Sequence, residues 1–384
     1  MQCKRCLNTD KQYFYKGSNG WYCRKCISFG RAMLAEDMTP VSLQPIHEES
    51  EEYRLQYPLT DAQKEMTEKC ASLIQNRQDV LLNCVCGAGK TELVTLSISQ
   101  MLKEKKKVCF AIPRRQVVLE LRERLSRYFP KAKVTGVCGG YTSQTDGDLI
   151  ICTTHQLYRY YQAFDLLILD EPDAFPFRGN DVLHGIAKTS CKGNLIYLTA
   201  TPDEEMMKRV KEGTLIMLEL KERPHGKPLP VPQVIISSVL MLPLLCVWLN
   251  EHQKHPRMVF VPSVNMAEKL YMVLHLFYEC DYCTSKSEDR DKKTEHFRNA
   301  KNGILICTTV MERGVTIPGV DICVYQAEHA VFDKAGLIQM AGRAGRTFQY
   351  PQGDVLFLCK ERSSLVETCI REIKKANESV YFVQ

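Results

Sequence analysis

The chain of 384 residues contains no run of about 18 uncharged apolar residues, the length a membrane-spanning helix needs. Its longest candidate, Val234 to Leu249, is broken by Ser237, Ser238 and Pro243, so no membrane span is expected. The first residues, MQCKRCLNTDKQ, lack the apolar core of a secretory signal. Charge of one sign is also scarce: the formal net charge is only +6, which permits nucleic-acid binding without demanding it. No repeat of 20 to 50 residues is visible, which argues against a solenoid. With 45% apolar and 25% charged residues the composition is that of a globular protein, neither disordered nor fibrous. Cysteine, by contrast, is abundant at 18 residues. Without a secretory signal this points to a reducing compartment and not to a disulfide framework, so a cytoplasmic location is expected.

The length calls for two larger domains with room for a small one. Two CxxC pairs occupy the start, and residues 35–52 are acidic and interrupted by proline, which reads as a linker. From Val80 onward, short apolar runs alternate with helix-length amphipathic stretches. The runs are Val80 to Leu82, Val108 to Ile112, Leu149 to Cys152, Leu166 to Leu169 and Leu195 to Leu198, and Gln116 to Tyr128 reads as a helix. That alternation predicts a parallel sheet covered by helices. Arg223 to Pro232 holds four prolines and a glycine, through which neither a helix nor a central strand continues. Beyond it the alternation resumes, with strands at Met258 to Val261, Gly303 to Cys307, Ile322 to Tyr325 and Val355 to Leu358. Helices are expected at Ala267 to Phe277 and Lys334 to Arg343. The expected organisation is an α/β chain: a cysteine module over 1–34, a linker over 35–52, one parallel-sheet lobe over 53–222, a second linker over 223–232, and a second lobe over 233–384.

The segment CVCGAGKTE follows the apolar run Val80 to Asn83 and precedes a helical pattern. Gly87 and Gly89 let backbone N–H groups fold around phosphate oxygens, Lys90 reaches the β and γ phosphates, and the Thr91 hydroxyl can ligate magnesium. Cys84 stands where such loops usually begin with glycine. A second apolar run, Leu166 to Leu169, ends in Asp170 and Glu171. A carboxylate pair at the end of a buried strand suits an NTPase, with Asp170 holding magnesium and Glu171 orienting the attacking water.

Cys3, Cys6, Cys23 and Cys26 form two CxxC pairs with sixteen residues between them, the spacing of a tetrahedral zinc site. Lys4, Arg5, Arg24 and Lys25 lie inside the knuckles, and Tyr13, Phe14, Tyr15, Trp21 and Tyr22 lie between them. These aromatics are either the core of a module too small to fold without metal or a surface on which bases stack. Cys280 and Cys283 form a further CxxC with no partner pair nearby, and metal binding is not expected there.

Taken together, the segments resemble the superfamily 2 helicases, in family order from about Tyr57 to Arg346. LTDAQ is similar to the adenine-reading segment, which implies that role for Gln63. IPRRQ and CTTHQ resemble the strand-binding segments of the first lobe, implying that Arg114, Arg115, Thr154 and His155 contact DNA. LTATP resembles the segment coupling hydrolysis to lobe movement, implying Thr199 and Thr201, with Gln339 assigned to the same coupling. In the second half VFVPS and ILICTTVMERGVTIPGVD imply Ser263, Thr308 and Thr309 as strand contacts. QMAGRAGR implies Arg343 and Arg346, three apart on one helical face, as guanidinium groups that stabilise the γ-phosphoryl charge. The implied ATP-binding set is Gln63, Gly87, Ala88, Gly89, Lys90, Thr91, Glu92, Gly314, Arg343 and Arg346.

A zinc module ahead of two helicase lobes, with DEPD as the acidic box and QxxGRxGR at the end, most resembles the competence DNA-uptake ATPases. The resemblance implies two RecA-like lobes, ATP with magnesium, structural zinc and single-stranded DNA. It also implies a phosphoribosyltransferase-like partner, a membrane channel, and a place at the inner face of the membrane, with an oligomer as a further expectation. Competing readings are a replication-restart or repair helicase, whose cysteines would lie between segments of the second lobe, an RNA helicase, and a nucleotide-gated scaffold without turnover.

Overall fold

The computed structural model describes residues 1–46, 53–311 and 317–381, without the side chains of residues 291, 310 and 379–381. The chain divides into two compact units. Unit 1 comprises Met1–Cys84 and Gly89–Leu220, and unit 2 comprises Val85–Ala88 and Lys221–Gln384.

Unit 1 opens with a three-stranded antiparallel sheet: β1 (Phe14–Gly17), β2 (Gly20–Cys23) and β3 (Ala32–Met33). Its main sheet has seven strands, β4 (Val80–Cys84), β5 (Val108–Ile112), β6 (Val134–Val137), β7 (Leu149–Thr153), β8 (Phe164–Asp170), β9 (Cys191–Thr199) and β10 (Ile216–Leu220). All pair in parallel, in the order β10-β4-β9-β8-β5-β7-β6. Helices α1 (Asp61–Gln75), α2 (Lys90–Leu93), α3 (Thr95–Lys103), α4 (Arg115–Tyr128), α5 (Asp181–Ser190) and α6 (Glu204–Lys211) connect and cover them. A sheet covered on both faces needs continuous apolar strands, and β5 and the centre of β8 are indeed buried throughout.

Unit 2 repeats the plan with six parallel strands: β11 (Gln233–Ile236), β12 (Pro256–Phe260), β13 (Cys280–Cys283), β14 (Gly303–Cys307), β15 (Asp321–Tyr325) and β16 (Val355–Cys359). Their order is β11-β16-β15-β12-β14-β13. Its helices are α7 (Met241–Glu251), α8 (Val264–Leu274), α9 (Arg290–Asn299), α10 (Lys334–Ala341) and α11 (Ser364–Tyr381). The apolar stretch Val234 to Leu249 is thus split between β11 and α7. No helix among the described residues is long and apolar enough to cross a membrane.

The expected helix Lys334 to Arg343 ends at Ala341. Arg343 and Arg346 therefore do not share a helical face: they lie in the turn beyond α10, where Gly345 adopts φ 65°. At Gly345 the turn takes a left-handed conformation that glycine adopts without strain.

Candidate active site and zinc centre

In unit 1 the implied nucleotide and strand residues, Gln63 of α1 apart, lie at or just after the C-terminal ends of parallel strands, where open α/β sheets bind ligands. The phosphate loop follows β4, and Lys90 opens α2. Gly89 has φ 80°, and a Cβ placed there would stand 2.7 Å from Gln63 Nε2, so the loop runs directly beneath that side chain. Gln63 is itself fixed by a capping box: its backbone N–H donates to Thr60 Oγ1 at 3.3 Å, and the Thr60 N–H donates to Gln63 Oε1 at 3.0 Å.

Thr91 and Glu92 are held from α4. Arg124 donates to Thr91 Oγ1 at 2.7 Å, and the Tyr128 hydroxyl donates to Glu92 Oε1 at 2.9 Å. Burial, followed by the nearby Glu92 carboxylate, pushes the Tyr128 hydroxyl up to about 12, so it stays a donor at neutral pH. Arg124 and Tyr128 carry no motif, and only the fold brings them to the loop.

Asp170 ends β8, and Glu171 follows with φ 51°, a left-handed conformation that is strained for a non-glycine residue and often marks a functional turn. Two residues on, Asp173 is buried and accepts from Thr199 Oγ1 at 2.6 Å and from Thr201 Oγ1 at 2.8 Å. The acidic box is therefore tied to LTATP through a residue that the sequence reading passed over. Its signal was present, since DEPD carries a third carboxylate after the pair assigned to magnesium and water. The donor set fits a magnesium nucleotide: Thr91 and Asp170 would hold the ion, which neutralises phosphate charge when bound.

Among the strand-contact residues, Arg114 is the N-cap of α4, and Arg115 donates to the Gly139 carbonyl at 2.8 Å with its guanidinium over the Tyr141 ring. Thr154 begins the 3-10 turn Thr154–Arg159, its hydroxyl oxygen buried with no hydrogen-bond partner among the described residues. His155 is exposed, and partial desolvation of its ring holds its imidazole below the usual range.

In unit 2, Ser263 caps α8 by accepting from Met266 N–H at 3.2 Å. Thr308 is buried after β14, and Thr309 begins a short 3-10 turn. Gln339 is buried on α10, and its Oε1 accepts from Cys86 Sγ at 3.1 Å. Ala88 is buried, and Gly87 has φ 84°. Gly314 lies outside the described residues. Arg343 is buried, whereas Arg346 Nε donates to the Gly342 carbonyl at 2.9 Å.

Arg223 anchors this turn, although the prolines around it read as a linker. It is buried and donates to the carbonyls of Gly342, Ala344, Gly345 and Cys86 at 2.7–3.1 Å. Burial lowers its pKa to about 10, which still leaves it charged at neutral pH.

The four N-terminal cysteines are all buried, and their sulfur atoms lie within 4.8 Å of one another. Cys3 to Cys26 and Cys6 to Cys23 both measure 3.8 Å, too long for a disulfide. A tetrahedron with ~2.3 Å zinc–sulfur bonds has edges of about that length. Hydrogen bonds from Cys26 and then Cys6 pull the Cys3 thiol down to about 2, while those same contacts push Cys26 far up. Four thiols so close lose all their protons only when a cation takes the charge, and these residues fit zinc.

The module is seated on the first lobe. Thr189 of α5 donates to the Arg5 carbonyl at 2.8 Å, Lys25 pairs with Asp181 at 2.9 Å, and the Phe29 ring lies 5.3 Å from Tyr158 and 6.3 Å from His155. Of the five aromatics between the knuckles only Phe14 is buried; Tyr13, Tyr15 and Trp21 are exposed. The core reading therefore holds for Phe14 alone.

Residues 56–204 match the type III restriction enzyme res subunit family, and residues 240–348 match the helicase conserved C-terminal domain. Competence protein ComFA of Bacillus subtilis (strain 168) is 34% identical over 98% of this chain and 86% of its own length. ComFA of Streptococcus pneumoniae (strain ATCC BAA-255 / R6) is 33% identical over 98% and 90%. Among solved structures, S. cerevisiae Dbp5 bound to RNA and ADP BeF3 aligns with TM-score 0.64 at 18% identity, covering 83% of this chain and 91% of that one. RecG bound to a three-way DNA junction aligns at 0.59 and 20%, covering 86% and 47%. The domain matches make the chain an ATP-hydrolysing helicase or translocase that uses magnesium nucleotide and acts on nucleic acid. At this identity, across nearly its whole length, the chain belongs to the ComFA family of the superfamily 2 helicases.

Proposed function

We propose that this protein is an ATP-driven translocase on single-stranded DNA that serves DNA uptake in competence. The observation that carries the motor reading is the tie between the acidic box and LTATP: Asp170 ends β8, Glu171 follows it, and Asp173 accepts from Thr199 and Thr201. A scaffold without turnover has no use for such a linkage. The competence assignment rests on the names of the two ComFA relatives.

In this reading Lys90 holds the phosphates, Thr91 and Asp170 the magnesium, and Glu171 the attacking water, while Arg343 and Arg346 supply charge from unit 2. Arg114, Arg115, Thr154, His155, Ser263, Thr308 and Thr309 hold the strand through its backbone, and Gln339 joins Thr199 and Thr201 in coupling. Zinc at Cys3, Cys6, Cys23 and Cys26 is structural, since a site closed by four thiolates leaves no position for water. A phosphoribosyltransferase-like protein and a membrane channel are the proposed partners, and the place of work is the cytoplasmic face of the membrane. The test is ATP turnover with single-stranded DNA, duplex DNA and RNA at fixed salt. Single-stranded DNA should stimulate most, and preferential stimulation by RNA would overturn the substrate assignment.

A further inference from the structure

The first 34 residues hold seven lysines and arginines against a single aspartate, an excess of six positive charges. That equals the formal charge of the whole chain, so the other 350 residues balance to zero. The mild overall charge therefore conceals a strongly basic module.

Within it, the register of β1 and β2 pairs Phe14 with Cys23 and, one step on, Tyr15 with Tyr22. Strand side chains alternate between faces. Phe14 and Cys23 are buried and define the inner face, so Tyr15 and Tyr22 form a cross-strand pair on the outer one. The Arg24 guanidinium lies 4.2 Å from the Tyr15 ring centre, and that of Arg31 lies 5.4 Å from Tyr22. Neither arginine is ion-paired among the described residues, in contrast to Lys4, which pairs with Asp37, and Lys25, which pairs with Asp181. Two aromatic rings, each flanked by a guanidinium with no carboxylate of its own, sit on a surface far more basic than the rest of the chain.

We infer that the Tyr15–Tyr22 face of the zinc module is a binding site for single-stranded nucleic acid, with bases stacking on the two rings and phosphates meeting Arg24 and Arg31. The inference rests on the strand-translocase reading above and extends it beyond the helicase segments. Stacking on aromatic rings beside a basic track is how single strands are held without sequence preference. The occupant is polyanionic because the module carries seven lysines and arginines against one aspartate, with Arg24 and Arg31 beside the two rings. Its position agrees: Phe29 packs the module onto His155 and Tyr158, so a strand held at Thr154 and His155 has the module as its neighbour. Zinc thus positions a second grip on the strand.

The experiment uses the full-length, zinc-loaded protein and a fluorescein-labelled oligo-dT strand. Strand affinity is read from the fluorescein anisotropy as protein is added. Tyr15→Ser with Tyr22→Ser should weaken strand affinity at least tenfold, Tyr15→Phe with Tyr22→Phe should restore it, and zinc content should stay at one per chain. Arg24→Gln with Arg31→Gln should lower the slope of log affinity against log salt by about two. Should the serine pair fail to retain zinc, the salt slope of the arginine pair decides. Unchanged affinity and salt slope in variants that hold zinc would overturn the inference and assign the face to a protein partner. A wild-type protein that does not bind the strand at all would instead overturn the strand-translocase reading itself.

Discussion

The Thr199 hydroxyl donates to Asp173 across 2.6 Å, joining the end of β9 to the loop after β8. With Thr201 on the other oxygen, each carboxylate oxygen accepts a short hydrogen bond in a buried site. Hydrogen bonds to a charged group contribute about 1.5–3 kcal/mol each, and a buried group left without its partner is destabilised further. Asp173→Ala should lower the melting temperature of the first lobe. It should also reduce strand movement per ATP hydrolysed several-fold more than it reduces hydrolysis. A coupling ratio equal to wild type would refute the linkage.

Gly89 tests the phosphate loop from the steric side. A methyl group there meets Gln63 Nε2 at 2.7 Å while the backbone sits at φ 80°, a conformation that costs an L-residue about 1–2 kcal/mol. Gly89→Ala should therefore weaken ATP binding by about an order of magnitude, whereas Lys90→Ala should abolish turnover and leave strand binding in nucleotide-free buffer largely intact. Fluorescent nucleotide titration beside strand binding separates the two. Wild-type nucleotide affinity in Gly89→Ala would show that the loop takes another course.

Arg346 and Arg223 separate a charge on phosphate from a charge that builds the turn. An arginine supplied to the transferring phosphoryl group contributes about 10³- to 10⁵-fold in rate, so Arg346→Ala should cut turnover by that order with little change in thermal stability. Arg223 fills four carbonyls. Arg223→Ala should therefore lower the melting temperature as well as turnover, and Arg223→Lys should recover only part of either, because an ammonium cannot span the fork. Wild-type turnover in Arg346→Ala refutes its catalytic role.

The residues that the sequence announced are those whose chemistry is local. GAGKT and the DE pair have their meaning within a few positions of one strand end, and the central strands β4, β5, β8 and β9 are apolar enough to read directly. The four strands missed in the two parallel sheets, β6, β10, β11 and β13, are their outer strands, and the short β1, β2 and β3 of the cysteine module went unread as well. Each of the four has one side without a neighbour, so its burial is partial and its apolar run is short; IMLEL and QVII include exposed positions. Asp173, Arg124 and Arg223 escaped for a different reason. Their partners lie between 26 and 137 positions away along the chain, and no spacing rule reaches across that distance. The overextended helix at Arg343 shows the limit of periodicity, which continues through Gly342 where the backbone turns away.

The zinc module offers the last test. Zinc removal by Cys3→Ala with Cys6→Ala should release about one metal per chain and unfold the module, because metal binding supplies its folding free energy. Strand affinity should fall while ATP turnover without strand survives. Gly185→Ala asks whether seating, apart from metal, matters. A Cβ there would stand 2.0 Å from the Cys6 carbonyl oxygen, a backbone atom that no rotamer change can move, so α5 and the module must part. Zinc should stay bound, and protease sensitivity within residues 35–46 should rise. Strand affinity should fall toward that of the cysteine variant, since Phe29 no longer braces His155 and Tyr158. Gly139→Ala, with nothing within 4 Å of its Cβ, serves as the stability control and should melt with the wild type. If Gly185→Ala keeps both the wild-type protease pattern and the wild-type strand affinity, the module acts as an independent domain and its seat on α5 plays no part in holding the strand.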